Sequence, residues 1–385
     1  MHRAFLILGN GPAAYGAALG WRSAGGKALP SIVAPNWPAP SVPGMTQVVL
    51  GHVPPRGADW KAARDWPAEV FTGTAESVDV LGRQVVWQDG FGQKVVCRFE
   101  QMVVATGTVP RQLDLPKAFA GEVLHFHSPQ DMNAWARLSP GTRVVVVGGG
   151  LVGAEMVEMA VSQSCDVHWV MRERRIWPTQ LSPGASALLL TEAQLHGVKV
   201  HASVEDVAGF AVGLAPEVLG MAVGAKAHSP AGASPVSGIV AHAGDAFGGP
   251  MGWAVAMRHG EAIGRHLAQN KGDEPPQPSA SGIPFHASFF RQKVSAFGMT
   301  DLGRCAHPRL WETPVNQRYF CALLADADLC VGVVTMGLVM KGADLLHRLD
   351  QGWPVEEARA QIGDCVVNFS HIKLTEQLQE QSEWH

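Results

Sequence analysis

Gly148-Gly149-Gly150-Leu151-Val152-Gly153 is the stretch whose residue types and spacing most clearly serve chemistry. The four valines at 144–147 lead into it as a β-branched run, too short for a helix and apolar enough to be buried on both faces. A helix with apolar periodicity is expected behind it, over 154–162. Strand, Gly-x-Gly-x-x-Gly and helix in that order make a dinucleotide-binding turn. Gly148 permits the tight turn, Gly150 lets a pyrophosphate approach the backbone, and Gly153 brings helix and strand together. Leu151 and Val152 stand between the last two glycines, just ahead of the helix, whose N-terminus offers amide donors and partial positive charge.

A looser copy stands near the start of the chain, Gly9-Asn10-Gly11-Pro12-Ala13-Ala14, between a strand expected over 4–8 and a helix over 15–24. Ala14 takes the place of the third glycine, as the fingerprint permits. One such turn binds one dinucleotide; two point to two cofactors passing electrons. The strand over 31–34 should end on an acid for a ribose 2′-OH, but the sequence reads Ala34-Pro35-Asn36, and Asn36 is the weaker partner available. The strand over 167–171 ends in Met171-Arg172-Glu173-Arg174-Arg175. With no acid at its tip, Arg172 can meet a 2′-phosphate, which favours NADPH over NADH. The competing reading is a solvated basic strand end.

Other elements must position these turns. Alternation at 78–80, 84–87 and 95–97 predicts a small antiparallel meander, and 101–105 a buried strand. Residues 35–55, rich in proline, read as an irregular connection, and 116–142 as a second one. A strand over 236–243 and a helix over 252–269 follow, and a Pro/Ser/Gly stretch at 274–284 marks a boundary. Strand-like runs at 293–297, 318–323 and 330–336, with helices at 341–349 and 355–362, predict a compact α+β domain. The expected architecture is α/β. Two Rossmann-like domains, at 1–118 with 236–280 and at 119–235, precede an α+β domain at 281–385. A chain of 385 residues has room for all three.

Composition narrows the function. Hydrophobic residues at 46% and charged residues at 17% fit a well-packed chain rather than a disordered one. A net charge of −4 gives no reason to expect nucleic acid or an anionic membrane as partner. No apolar run reaches membrane-spanning length. The first apolar run ends in a glycine turn and reads as a strand rather than a signal peptide. The six cysteines form no C-x-x-C pair, which argues against a dithiol centre, an iron–sulfur site or a zinc knuckle. Scattered thiols point to the cytoplasm. No H-x-x-x-H spacing suggests a metal site.

Four signals in order resemble the FAD-dependent pyridine nucleotide–disulfide oxidoreductase superfamily, nearest its ferredoxin and rubredoxin reductases, which lack the redox disulfide. They are the 9–14 turn, Val104-Ala105-Thr106-Gly107 with Pro110-Arg111, the stretch 148–155, and Val240-Ala241-His242-Ala243-Gly244-Asp245. The resemblance implies that the first turn and Ala105-Thr106-Gly107 serve FAD and that Asp245, after Gly244, bonds the ribityl chain. It also implies that the helix carrying Trp253, Ala256 and Gly260 points its N-terminus at the flavin pyrimidine ring. Glu155 would orient nicotinamide. The family's Arg-Pro-x-Leu-Ser-Lys appears as Val42-Pro43-Gly44-Met45-Thr46-Gln47, with both cations lost and Gln47 in the lysine's place, which should lower the flavin potential. The segment covering the flavin corresponds to Pro284-Phe285-His286-Ala287-Ser288, with Ala287 in place of Trp. The hairpin usual between 200 and 222 is missing.

The resemblance thus implies an enzyme: NAD(P)H reduces FAD, which passes electrons to a small redox protein or a small molecule, with His286 or His242 as proton donor. The third domain could serve a homodimer. Two alternatives stay open, a flavin subunit with a decayed nicotinamide site and a nucleotide-binding protein without redox chemistry.

Overall fold

The structure, a computed structural model, describes residues 1–117, 119–248, 252–269, 274–278, 282–290, 292–313, 319–367 and 378–381. They form two compact units. Met1–Arg111, His127–Asn133 and Gly224–Ser279 make the first, and Gln112–Phe126, Ala134–Val223 and Ala280–His385 the second.

In the first unit, strand His2–Leu8 lies parallel to Ser31–Ala34 on one side and to Lys94–Val104 on the other, with Val240–His242 parallel beyond. Its apolar run is continuous because it faces two cores. Phe5 and Ile7 pack with helix residues such as Ala14, Ala17 and Ile263, while Leu6 and Leu8 pack with Val85, Trp87 and Phe99 of the meander. Two strands belong to both layers. Residues 69–72 of Glu69–Asp79 extend the parallel sheet, and its later residues pair antiparallel with Gln84–Asp89. Lys94–Val104 does the same in reverse. The expected meander is therefore present, but its last strand and the buried strand at 101–105 are one element. Its burial shifts from alternating near Val96 to continuous at Met102, Val103 and Val104 as it enters the doubly covered sheet.

Helices Pro12–Ser23 and Trp253–Ala268 pack backbone to backbone. A Cβ on Gly16 or Gly20 would stand 2.1 or 2.0 Å from the carbonyl oxygen of Met257 or Glu261. On Gly260 or Gly264 it would stand 2.0 or 2.1 Å from that of Ala13 or Ala17. Two glycines per helix, four residues apart, let the axes close to a distance no side chain permits.

Residues 35–55 are not irregular throughout. Val42–Val49 is a helix, capped where Ser41 Oγ accepts from Gly44 N at 3.2 Å, with proline in its first turn. The proline content conceals a legitimate helix start.

In the second unit, five parallel strands run in the order Lys199–His201, Asp166–Val170, Arg143–Val147, Val218–Met221, Glu122–Leu124. Helix Val207–Gly213 alone lies between the strands at 199–201 and 218–221, so no hairpin is present there. The expected connection at 116–142 instead supplies the edge strand Glu122–Leu124 and, with its residues 129–133 counted in the first unit, helix Pro129–Trp135. Tertiary packing orders it: the Trp135 indole donates to His125 O at 2.8 Å and sits where Gly220 has no side chain.

A six-stranded antiparallel sheet follows in the same unit, Phe285–Phe289, Gln292–Gly298, Leu329–Met336, Phe320–Asp326, Pro308–Glu312 and Gln379–Gln381 in spatial order. Helices Gly342–Asp350 and Val355–Gln361 cover a core of Trp311, Leu323, Val333, Leu345 and Ala358, which makes this part α+β. Arg318 of the expected strand and 279–281 of the expected boundary lie outside the described residues. Glu312 ties this sheet to the parallel one by accepting from Gly184 N at 3.0 Å, at the start of helix Pro183–Leu195. Phe285 and Phe289 add edge contacts to the Trp177 ring.

All six cysteines are free, and burial pushes the thiols of Cys321 and Cys330 up to about 12, which suits inert core residues. Among the described residues no helix is long and apolar enough to cross a membrane, and no group of three or more His, Cys, Asp or Glu could hold a metal ion.

Candidate dinucleotide sites

The two glycine turns repeat the same construction in different units. Gly9 has φ +110°, and a Cβ there would lie 2.3 Å from Ala105 O; Gly148 has φ +118°, and a Cβ would lie 2.2 Å from Ala222 O. Each first glycine is thus forced, both by its backbone angle and by the end of the neighbouring strand. The second glycines differ in kind. Gly11 (φ −79°, ψ −177°) and Gly150 (φ −81°, ψ −177°) cap their helices with angles any residue adopts. A Cβ on either would enter open space, with nothing within 4 Å. The absent side chain leaves room at a helix N-terminus, which is what a pyrophosphate requires. The third position is closed in both: Ala14 is fully buried, and a Cβ on Gly153 would stand 2.0 Å from Gly148 O.

Around the first turn, Asn10 Nδ2 donates to Asn36 O at 2.7 Å and lies 3.5 Å from its Oδ1, which ties the loop to the end of the second strand where Asn36 is exposed. Pro12 and Ala13 begin the helix. Ala105 N donates to Leu8 O at 2.8 Å. Thr106 Oγ1 donates to His228 O at 2.5 Å, and His228 N donates to Gly107 O at 2.9 Å. Strands Thr108–Pro110 and Ala225–Ala227 then pair as a two-stranded ribbon. Gln47, half-buried on its helix, has Oε1 2.9 Å from His52 Nδ1. Asp245 follows Gly244, which has φ +61° and would bring a Cβ to 2.5 Å from that of Ala13. Both ring nitrogens of His242 face carbonyl oxygens, of Ala246 at 3.2 Å and Ala233 at 2.6 Å. Trp253 begins its helix and meets Trp60 edge-on at 4.8 Å. Tyr15, Trp60, Trp66 and Trp37 continue this aromatic wall through edge contacts of 5.2–5.9 Å.

Around the second turn, two tryptophans hold the loop, and sequence reasoning did not single out either. The Trp169 indole donates to Gly148 O at 2.8 Å, and Trp177 N donates to Gly149 O at 2.9 Å. Leu151 and Val152 are each 37% exposed at the helix start, an uncovered apolar pair beside the open glycine. Glu155 is half-buried one turn on. Glu158, a further turn along, is buried; desolvation pushes its carboxyl up to about 7, the nearby Glu155 adds to this, and the Phe290 backbone N–H opposes it. Met171 is buried, whereas Arg172 is exposed and pairs with Glu173 at 3.5 Å. His286 lies exposed on strand Phe285–Phe289, with Nδ1 2.8 Å from Ser295 Oγ. Strand alternation puts it on the face opposite Phe285, Ala287 and Phe289.

The chain belongs to the pyridine nucleotide-disulphide oxidoreductase family, whose model matches residues 3–222. Among curated relatives it is similar to the probable ferredoxin reductase CtmF of Castellaniella defragrans, 29% identical over 27% of this chain and 27% of that one. The chain spans about a quarter of the length of the first curated relatives it matches. The fold is that of the ferredoxin reductase for the CYP199A2 system from Rhodopseudomonas palustris, with a TM-score of 0.72 at 17% identity over 97% of this chain and 99% of that one. It is also that of an engineered water-forming NADPH oxidase derived from the Lactobacillus brevis NADH oxidase, with a TM-score of 0.71 at 14% identity over 98% and 97%.

Proposed function

We propose that this protein is a FAD-dependent NAD(P)H oxidoreductase, with FAD on the first glycine turn and the nicotinamide coenzyme on the second. The observation that carries the reading is the pair of open helix caps, Gly11 and Gly150, built alike in two separate units. Bound FAD would supply two-electron reduction by the coenzyme and onward delivery of the electrons to an acceptor. The protein's share is binding and orientation. Helix N-terminal amides would hold each pyrophosphate, Asn36 the FAD ribose, Asp245 the ribityl chain, and Glu155 the nicotinamide. Gln47 in the place of a cation would leave the reduced flavin with less electrostatic stabilisation. His242 and His286 are the candidates for proton delivery. CtmF, named a probable ferredoxin reductase, supports a small redox protein as acceptor; a small molecule is the other class the chemistry allows.

NADPH is the favoured coenzyme. The strand end offers buried Met171 in place of an acid and then exposed Arg172. The engineered NADPH oxidase carries an Asp-to-Ala exchange followed directly by an Ala-to-Arg exchange, the same order of residue types. Titrating the flavin-loaded protein anaerobically with each coenzyme tests the reading. Both are expected to bleach the flavin, NADPH at the lower concentration, and a Met171→Glu, Arg172→Ala variant should shift the preference to NADH by about tenfold or more. Equal response of the parent and the variant to both coenzymes would end the NADPH assignment.

A further inference from the structure

We propose that His259 is a positioning residue for the flavin turn, holding the Gly244 backbone that presents Asp245. The inference rests on the reading that the first unit binds FAD and adds a residue to that site.

His259 lies on helix Trp253–Ala268 and is only 2% exposed. Its two ring nitrogens have different partners. Nε2 lies 3.0 Å from Pro276 O, and Nδ1 lies 3.2 Å from Gly244 N, which donates to it. A carbonyl oxygen only accepts, so Nε2 carries the ring proton and Nδ1 keeps its lone pair for the amide. Burial holds the imidazole below its ordinary range, while the Pro276 carbonyl pulls the other way. The neutral tautomer is therefore the one that satisfies both neighbours.

The Gly244 amide needs such a partner. The strand ends at His242, where the parallel ladder to Lys94–Val104 stops, and the next helix begins at Asp245. Gly244 thus lies between two regular elements with its N–H buried, and a buried amide without an acceptor is costly. The bond also fixes where the turn sits. Gly244 is pressed against Ala13 of the first glycine turn, and the next residue along from His259, Gly260, has no room for a Cβ against Ala13 O. The Phe247 ring packs edge-on to the imidazole at 5.1 Å. His259 therefore links the close-packed helix pair to the two loops that would hold the pyrophosphate and the adjoining ribityl chain of FAD. A shift of the Gly244 backbone would move Asp245 without altering the aspartate itself.

The test is FAD binding by the deflavinated full-length protein, followed by flavin fluorescence, with circular dichroism as the folding control. His259→Leu removes both bonds and is expected to weaken FAD binding at least about tenfold. His259→Gln keeps an acceptor and a donor on one side chain and should stay within about threefold of the parent. A folded Leu variant that binds FAD as tightly as the parent overturns the proposal, as does a folded Gln variant that fails with it. Nitrogen-15 spectra of the imidazoles give a readout that needs no variant to fold: protonated Nε2 with bare Nδ1 at His259 is expected, and the reverse tautomer overturns the proposal. A parent protein that takes up no FAD at all would instead bring down the cofactor reading, and this inference with it.

Discussion

At Gly11 and Gly150 no neighbour among the described residues requires glycine, which is what the proposed nucleotide sites predict. Their angles suit any amino acid and a Cβ would touch nothing, so valine at either position should leave stability within about 0.5 kcal/mol. Valine at Gly9 or Gly148 should unfold the respective unit, because positive φ and a backbone clash coincide there. Thermal melts of the four variants check the contrast. Glu158 gives a second residue-level expectation. Its folded carboxyl is pushed up to about 7 from an ordinary 4.5, so the folded state binds the extra proton between those values. Stability should therefore fall as pH rises from about 4.5 to about 7. Glu158→Gln should flatten this dependence and gain about 1–2 kcal/mol above pH 7, allowing for partial solvent screening; urea unfolding across pH shows the sign directly. The glycines were legible in the sequence because each obeys a local spacing. Glu158, Trp169 and Trp177 were not, because their roles depend on the burial and loop carbonyls that folding brings to them.

Among the elements, the close contact of helices Pro12–Ser23 and Trp253–Ala268 depends on Gly16, Gly20, Gly260 and Gly264. Gly16→Ala or Gly260→Ala should cost about 2–4 kcal/mol and weaken FAD binding in step, since both helix starts shift together. Gly213→Ala, in a short helix where nothing lies near, is the control and should be neutral or slightly stabilising. Denaturant midpoints compare the three. This contact could not be read from either helix alone; each shows glycines four residues apart, but their partnership spans more than two hundred positions. The same limit explains the unforeseen strand Glu122–Leu124, a three-residue edge with one buried side chain and no period to detect. It explains helix Val42–Val49 differently: Ser41 and Pro43 form a proper helix start inside a stretch whose prolines suggested none.

On the scale of the whole molecule, the sequence carried the α/β class, both glycine turns and the C-terminal α+β part, because long buried runs and fixed glycine spacings persist through folding. The pairing of Thr108–Pro110 with Ala225–Ala227 within the first unit was not legible, since more than a hundred residues separate the two strands. Anaerobic spectra of Gly11→Val and Gly150→Val separate the roles proposed for the two turns, one holding FAD and the other the nicotinamide coenzyme. Gly11→Val is expected to purify without flavin and to take up FAD at least about a hundredfold more weakly than the parent. Gly150→Val should keep its flavin and be bleached by dithionite, but not by NADPH or NADH at concentrations that bleach the parent. A Gly150→Val protein that loses flavin, or one that either coenzyme still reduces as readily as the parent, would contradict it.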